Sequence, residues 1–412
     1  MSAPAGVVEH LFRHSAGQIV ATLARTLGPA RLDLAEEALA DAMEQALRTW
    51  PHNGVPANAK GWLFRAARNR ALDLIRREQT LRAKLPLLAE LDHDAEPGGD
   101  AELAMILLCC HPELPLASQV ALTLKTVGGL GVDEIASALL AKHATVAQRL
   151  ARAKRWLRDA GPLELPPADE LPERVDSVLS VLYLLFNEGY DATSGDEAVR
   201  AELCGEAIRL GRLLLADPRT DLPRSRALVG LLLLQASRLP ARVDDDGDVL
   251  LLAEQDRSRW DTAMIAEGTR TFAAACTGAE LSAYHVEAAI ALCHVSSADP
   301  HGTDDTDWPR ILDLYDRLVE LRPSPVAWLN RAIAVSMVHG PRRGIAELER
   351  LEDDPRLAGY RLLPSALAAL WMRAGEPGRA AAYYRAAVAM PGSEPQRRLL
   401  RRRLAECVAA DQ

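Results

Sequence analysis

Apolar residues recur at the three-to-four-residue spacing of amphipathic helices almost from end to end of this chain, and the strict alternation of a strand is nearly absent. The pattern predicts an all-α fold. Leu63, Phe64, Ala67, Ala71, Leu74 and Ile75 fall on one arc of a helix. Val146, Leu150, Ala153 and Leu157 recur at i, i+4, i+7 and i+11, again one face. Pro, Gly and acidic clusters cut this helical pattern into segments. Residues 7–80 are helical, 81–100 read as a loose acidic linker, and 101–160 read as short helices ending in a basic one. A second linker, GPLELPPADELP, precedes a long helical succession over residues 172–412.

The last segment carries a weak internal repeat. Residues 327–351 and 366–388 each read as an Ala-rich helix, a glycine, a Pro-containing turn and a second helix. Their turn glycines, Gly340 and Gly375, lie 35 positions apart, close to the tetratricopeptide (TPR) period of about 34. Ordinary antiparallel helix pairs would give the same pattern. A length of 412 residues fits two or three domains. Aromatic residues make up only 4%, so the cores must be built from Ala, Leu and Val. No uncharged run approaches the ~20 residues of a membrane span, and the first residues lack the basic and apolar regions of a signal peptide. A cytoplasmic location is therefore expected, with no membrane contact. Six scattered cysteines do not make a disulfide framework, and Cys109-Cys110-His111 lacks the spacing of a metal site. No metal or cofactor is expected.

The net charge of −9 is unevenly spread. Residues 1–160 carry 19 basic against 18 acidic side chains, and residues 161–412 carry 29 against 39. The first part holds strongly basic runs. From Lys142 to Arg158 there are six Lys or Arg residues and no acid. Ile135, Ala136, Leu139 and Leu140 stripe the preceding helix, Ala141–Ala144 make a turn, and Thr145 can cap the next helix. This is the order of a helix-turn-helix, whose second helix enters the major groove. Thr145, Gln148, Arg149 and Arg152 stand where base edges are read, while Lys154 and Arg155 suit phosphates. Upstream, WLFRAARNRALDLIRRE (62–78) buries one arc and is cationic on both sides of it, through Arg65, Arg68 and Arg76 on one flank and Arg70 and Arg77 on the other. Before it lie an acidic helix with Asp33, Glu36, Glu37 and Asp41, then a Pro- and Asn-rich loop over 51–59.

An acidic helix, a polar loop, a basic helix and a helix-turn-helix, in that order, resemble bacterial sigma factors of the extracytoplasmic-function type. DLAEEALADAMEQALRTW looks like the helix that docks on the polymerase clamp, and WLFRAARNRALDLIRRE like the helix at the upstream edge of the melted −10 element. The helix-turn-helix looks like the reader of the −35 element. The stretches CCHPEL, VLYLLFNEGY, QDRSRWD and NRAIAV are similar to the group with a long TPR-like C-terminal extension. The resemblance implies two small sigma domains followed by a helical-repeat domain. It implies a non-enzymatic factor that binds core RNA polymerase and promoter DNA, and helps melt the DNA. Asp33, Glu36, Glu37 and Asp41 are then the polymerase-facing residues. His52, Asn53 and Asn58 would line a pocket for an unpaired −10 base, with Trp50 and Trp62 at its borders. Asn69 would join Arg65, Arg68, Arg76 and Arg77 on that DNA.

The extension is less legible. Its acidity argues against a second DNA contact, leaving a protein partner or self-contact on the sigma domains as its role. Asn187–Tyr190 and Gln255–Asp261 place polar groups beside aromatics, which suits either buried salt bridges or a ligand pocket. Two other readings account for part of the chain. One is a DNA-tethered TPR scaffold, which leaves the acidic helix, loop and basic helix unexplained. The other is an enzyme with a pocket within residues 172–300, yet no P-loop, nucleophile elbow or HExxH is present.

Overall fold

A computed structural model describes residues 3–77, 99–139, 141–159, 161, 164–192, 197–296 and 306–411. Apart from its last two residues, the linker expected at 81–100 lies outside them. Among the described residues the regular elements are helices, and strand pairing is confined to one isolated bridge between Val243 and Val249. The chain forms two compact units, residues 1–184 and 185–412. The division falls inside a helix, α8 (Leu171–Tyr190, introduced in sequence below), and not at the Pro-rich stretch before it.

In the first unit α1 (Ala3–Leu27), α2 (Leu32–Asn53) and α3 (Ala59–Arg77) pack on one another. The helices α4 (Gly99–Cys109), α5 (Leu116–Thr126), α6 (Val132–Ala138) and α7 (His143–Leu157) follow. α1 belongs to both groups, since it also packs against α4 and α5. From Ser15 to Ala24 every residue of α1 except the half-buried Gln18 is buried. A helix apolar on all sides must be surrounded, which is why α1 sits between the two sets. The closest approach is at Gly17. A Cβ there would overlap the carbonyl oxygen of Val127, just past the end of α5. Glycine is what lets the two backbones meet.

The turn between α4 and α5 is held by side chains. The Sγ atoms of Cys109 and Cys110 lie 3.1 and 3.4 Å from the hydroxyls of Thr126 and Thr123. Gln119 Nε2 donates to the carbonyls of His111 and Leu114 at 3.0 and 2.8 Å. Burial pushes the Cys110 thiol up to about 12 and Cys109 further still. Both stay protonated and pack as small apolar groups.

The second unit begins within α8 and continues through α9 (Ala201–Ala216), α10 (Pro223–Ala236), a run of short turns over 239–259, and α11 (Thr262–Ala275). Then come α12 (Ala283–Val295), α13 (Trp308–Leu321), α14 (Pro325–His339), α15 (Pro341–Glu349), α16 (Leu362–Arg373), α17 (Pro377–Ala389) and α18 (Glu394–Ala410). From α9 onward each helix packs on the next. The helix starts are capped as the sequence allows. Asp261, Asp307 and Ser324 accept from backbone N–H groups at 2.9, 2.9 and 3.1 Å. The turn glycines Gly340 and Gly375 sit at φ 89° and 78°, a left-handed conformation that reverses the chain between paired helices. The segments read as a repeat form two successive helix pairs, α14–α15 and α16–α17.

The contact at Gly17 is testable. Gly17→Ala should destabilise the first unit by ~1–3 kcal/mol, since a methyl group is forced into a packed backbone. Gly205→Ala, on an exposed stretch of α9 with open space around its Cβ position, should be neutral or stabilising by ~0.5–1 kcal/mol. Urea denaturation of the two variants checks this, and equal midpoints would show that the approach is not tight.

Candidate nucleic-acid interface

The second helix of the helix-turn-helix is α7, and its buried face is Val146, Leu150, Ala153 and Leu157, as the periodicity predicts. It begins at His143, two residues earlier than the sequence suggests, and Thr145 lies half-buried within its first turn instead of capping it. The start is fixed from outside: the ring Nδ1 of His143 lies 2.5 Å from Asp133 Oδ1 on α6. Gln148, Arg152, Arg155 and Arg158 are exposed and Arg149 is half-exposed. These side chains form one cationic face opposite the buried stripe. Ile135 and Ala136 of α6 are buried beneath it, while Leu140 lies outside the described residues.

The −10 side needs more revision. Pro51, His52 and Asn53 form the last turn of α2, so the loop is Gly54–Asn58 only. His52 and Asn53 are exposed there. Asn58 Oδ1 accepts from the Gly61 backbone N–H at 2.7 Å and caps α3. Trp50 is buried and meets Trp62 edge to face at 5.4 Å. On α3, Asn69 and Arg76 are exposed and Arg65 is half-buried. Arg76 lies 3.3 Å from Asp73 one turn earlier. The side chain of Arg77 lies outside the described residues. Arg68 is a correction: only 3% exposed, it points into the packing of α3 and offers DNA no surface.

The acidic helix is also less free than its sequence implies. Asp41 pairs with Arg70 of α3. Glu36, expected on the surface, has a side chain only 18% exposed. The reason is Lys154 of α7, whose Nζ lies 2.8 Å from Glu36 Oε2 and 2.5 Å from Asp33 Oδ1. Burial alone would lower the Lys154 ammonium, but Glu36 and Asp33 outweigh it and hold the group above its ordinary range. Lys154 is therefore not presented to DNA in this arrangement, which corrects its placement among the −35 contacts. Glu37 and Asp33 remain exposed. With Arg31 and Arg158 they line one cavity of about 770 Å³ between α2 and the end of α7. The sequence hid this arrangement because Lys154 is separated from Asp33 by 121 positions. The basic run and the acidic helix were its only visible signals.

Trp156, also on α7, donates its indole N–H to Glu113 at 3.0 Å and packs its ring 4.5 Å from His111. The CCHPEL segment thereby serves as a brace for the recognition helix.

These features place the chain in a known class. Residues 11–80 match the model of sigma-70 region 2, and residues 104–157 that of sigma-70 region 4. Residues 174–276 match a family of unknown function, DUF6596. With the fold, the two sigma-70 matches make the chain an extracytoplasmic-function-like sigma factor with a helical C-terminal extension. An uncharacterized protein of Rhizobium meliloti (strain 1021) is 42% identical over 341 residues, covering 80% of this chain and 79% of that protein. The ECF RNA polymerase sigma factor SigE of Mycolicibacterium smegmatis is 30% identical over 119 residues, 26% of this chain and 44% of its own length. Among the described residues, no helix is long and apolar enough to cross a membrane.

The Lys154 clasp predicts a measurable coupling. Lys154→Met and Glu36→Gln, alone and combined, should show an interaction energy of about 1 kcal/mol that falls as salt is added. Additive effects at low salt would mean that the pair contributes nothing.

Proposed function

We propose that this sigma factor acts in the cytoplasm by binding core RNA polymerase, directing it to particular promoters and helping to open them. In this reading it is a binding factor and not an enzyme, and its extension sets the activity of the sigma unit. The observation that carries the proposal is the face of α7. Gln148, Arg149, Arg152 and Arg155 stand opposite a fully buried stripe, within the segment that matches sigma-70 region 4. Such a helix can enter a major groove and read bases while its later cations meet phosphates. The match of residues 11–80 to region 2 supports a melting role for the exposed His52, Asn53 and Asn69.

Lys154 adds a step to this reading. While it is bound to Asp33 and Glu36, the largely buried Glu36 carboxylate is withheld from any basic surface of polymerase and Lys154 is withheld from phosphates. Assembly of an active holoenzyme then requires the pair to separate, so Lys154→Ala should bind core polymerase more tightly than the natural chain.

The direct experiment combines the full chain with core polymerase on genomic DNA fragments and maps transcript starts. Specific starts are expected, and their absence would sink the proposal. Promoter variants then assign roles. Arg149→Ala should lose ~1–3 kcal/mol of discrimination at one −35 position, whereas Arg155→Ala should weaken all sequences alike and lower the salt dependence. A uniform loss for both would reduce Arg149 to a phosphate contact.

A further inference from the structure

The polar segments Asn187–Tyr190 and Gln255–Asp261 converge in the second unit around three arginines. Arg242 lies over the ring of Tyr190 at 4.1 Å. Arg257 and Arg238 lie against the ring of Trp260 at 5.0 and 5.7 Å. Salt bridges would be the ordinary explanation for cations placed so deeply, but the carboxylates of these segments are used elsewhere. Asp256 accepts from the Ser258 backbone and hydroxyl at 2.9 and 2.7 Å, and Asp261 caps α11. Glu188 pairs with Arg200. Asp191 reaches only the outer edge of the cluster, 3.4 Å from Arg242 Nη2, and is also held by Gln396 at 2.8 Å.

What remains, among the described residues, is a set of buried donors with no hydrogen-bond partner. Arg257 is 9% exposed, and both its Nη1 and Nη2 are buried without a hydrogen-bond partner. The Nε atoms of Arg238 and Arg242, the indole N–H of Trp260 and the hydroxyl of Tyr190 are in the same state. Burying a guanidinium without an anion is costly, and leaving its donors unmade adds to that cost. The cations also feel one another. Burial, Arg242 and Arg257 lower Arg238, a trend opposed only by the Tyr190 phenol. Burial, Arg238 and Arg257 push the nearby His294 imidazole down to about 4.

We propose that this cluster is the binding site of a small oxyanion, whose phosphate or carboxylate oxygens accept from Arg257, Arg238, Trp260 and Tyr190. The planar fork of Arg257 suits two oxygens of one such group, and the positive surroundings supply the charge complement. A neutral His294 beside it leaves the arginines as the source of that charge. The site owes nothing to the promoter-binding reading and can fail or succeed independently of it.

The test uses the full chain in thermal denaturation at constant ionic strength, with inorganic phosphate and malonate as probes and chloride as the reference ion. At least one probe should raise the unfolding temperature saturably beyond chloride. Arg257→Met should weaken that response at least tenfold. Because it removes an uncompensated buried charge, it should also unfold at the same or a higher temperature without ligand. Tyr190→Phe, which keeps the ring and drops one donor, should weaken the response several-fold. If Arg257→Met does not fold, Arg238→Met carries the same comparison. No saturable response to either anion would overturn the proposal. So would a response unchanged in Arg257→Met, which would place the anion on the basic helices of the first unit. The relative strength of phosphate and malonate decides which oxyanion the site prefers.

Discussion

The first unit depends on the line along which α1 meets the end of α5. α1 packs on α2 and α3 on one side and on α4 and α5 on the other, so the two sigma regions share a helix as well as a chain. Gly17 sets the separation, because nothing larger than hydrogen fits against the Val127 carbonyl. That distance brings α7 within reach of α2, and the Lys154 clasp follows from it. Dispersion and apolar burial along α1 are short-ranged and insensitive to salt, whereas the clasp is electrostatic. The arrangement thus combines a permanent apolar seam with a charged contact that polymerase or DNA could compete for.

Charge in this unit is satisfied largely within the molecule. Asp41 holds Arg70, Asp33 and Glu36 hold Lys154, and Asp73 holds Arg76. The near balance of acids and bases over residues 1–160 is the same fact at the level of composition. Among the described residues, the exposed cationic surface is consequently narrower than the sum of the arginines, and on α7 it comprises Arg149, Arg152, Arg155 and Arg158.

Much of this was legible in the sequence for a simple reason. The buried stripe of α7 and the apolar arc of α3 are local periodicities, and helix geometry translates them directly into faces. The glycine–proline turns at 340 and 375 are equally local. What escaped was set by distant partners. Arg68 stands among the other arginines of α3 in the sequence, and only the folded structure shows that it is buried. Glu36 looks like any solvated acid until α7 is placed beside it. Pro51 suggests a break, yet it is tolerated in the last turn of α2, and Gly54 at φ 79° ends the helix three residues later. The buried guanidinium of Arg257, whose Nη atoms find no partner among the described residues, was invisible for the same cause, since only a fold tells which aspartates are already engaged.

The last helix of the extension does not end the structure at its far edge. Gln396 of α18 bonds to Asp191, Arg398 pairs with Asp248, and Arg403 reaches Glu254 at 2.5 Å. This helix therefore returns to the first part of its unit, across 149 to 205 positions of chain. This has a consequence for how the protein is made. The first unit has all its residues once about 184 have been synthesised, well before the extension is complete. The extension can stack its helices as they emerge, through neighbour contacts, but cannot close until translation is almost finished. The entropy of that closure grows only slowly with the length of chain enclosed, about 0.6 kcal/mol per doubling. Timing, more than free energy, is what the closure imposes: every nascent chain carries all the residues of the first unit before the domain attached to it is complete.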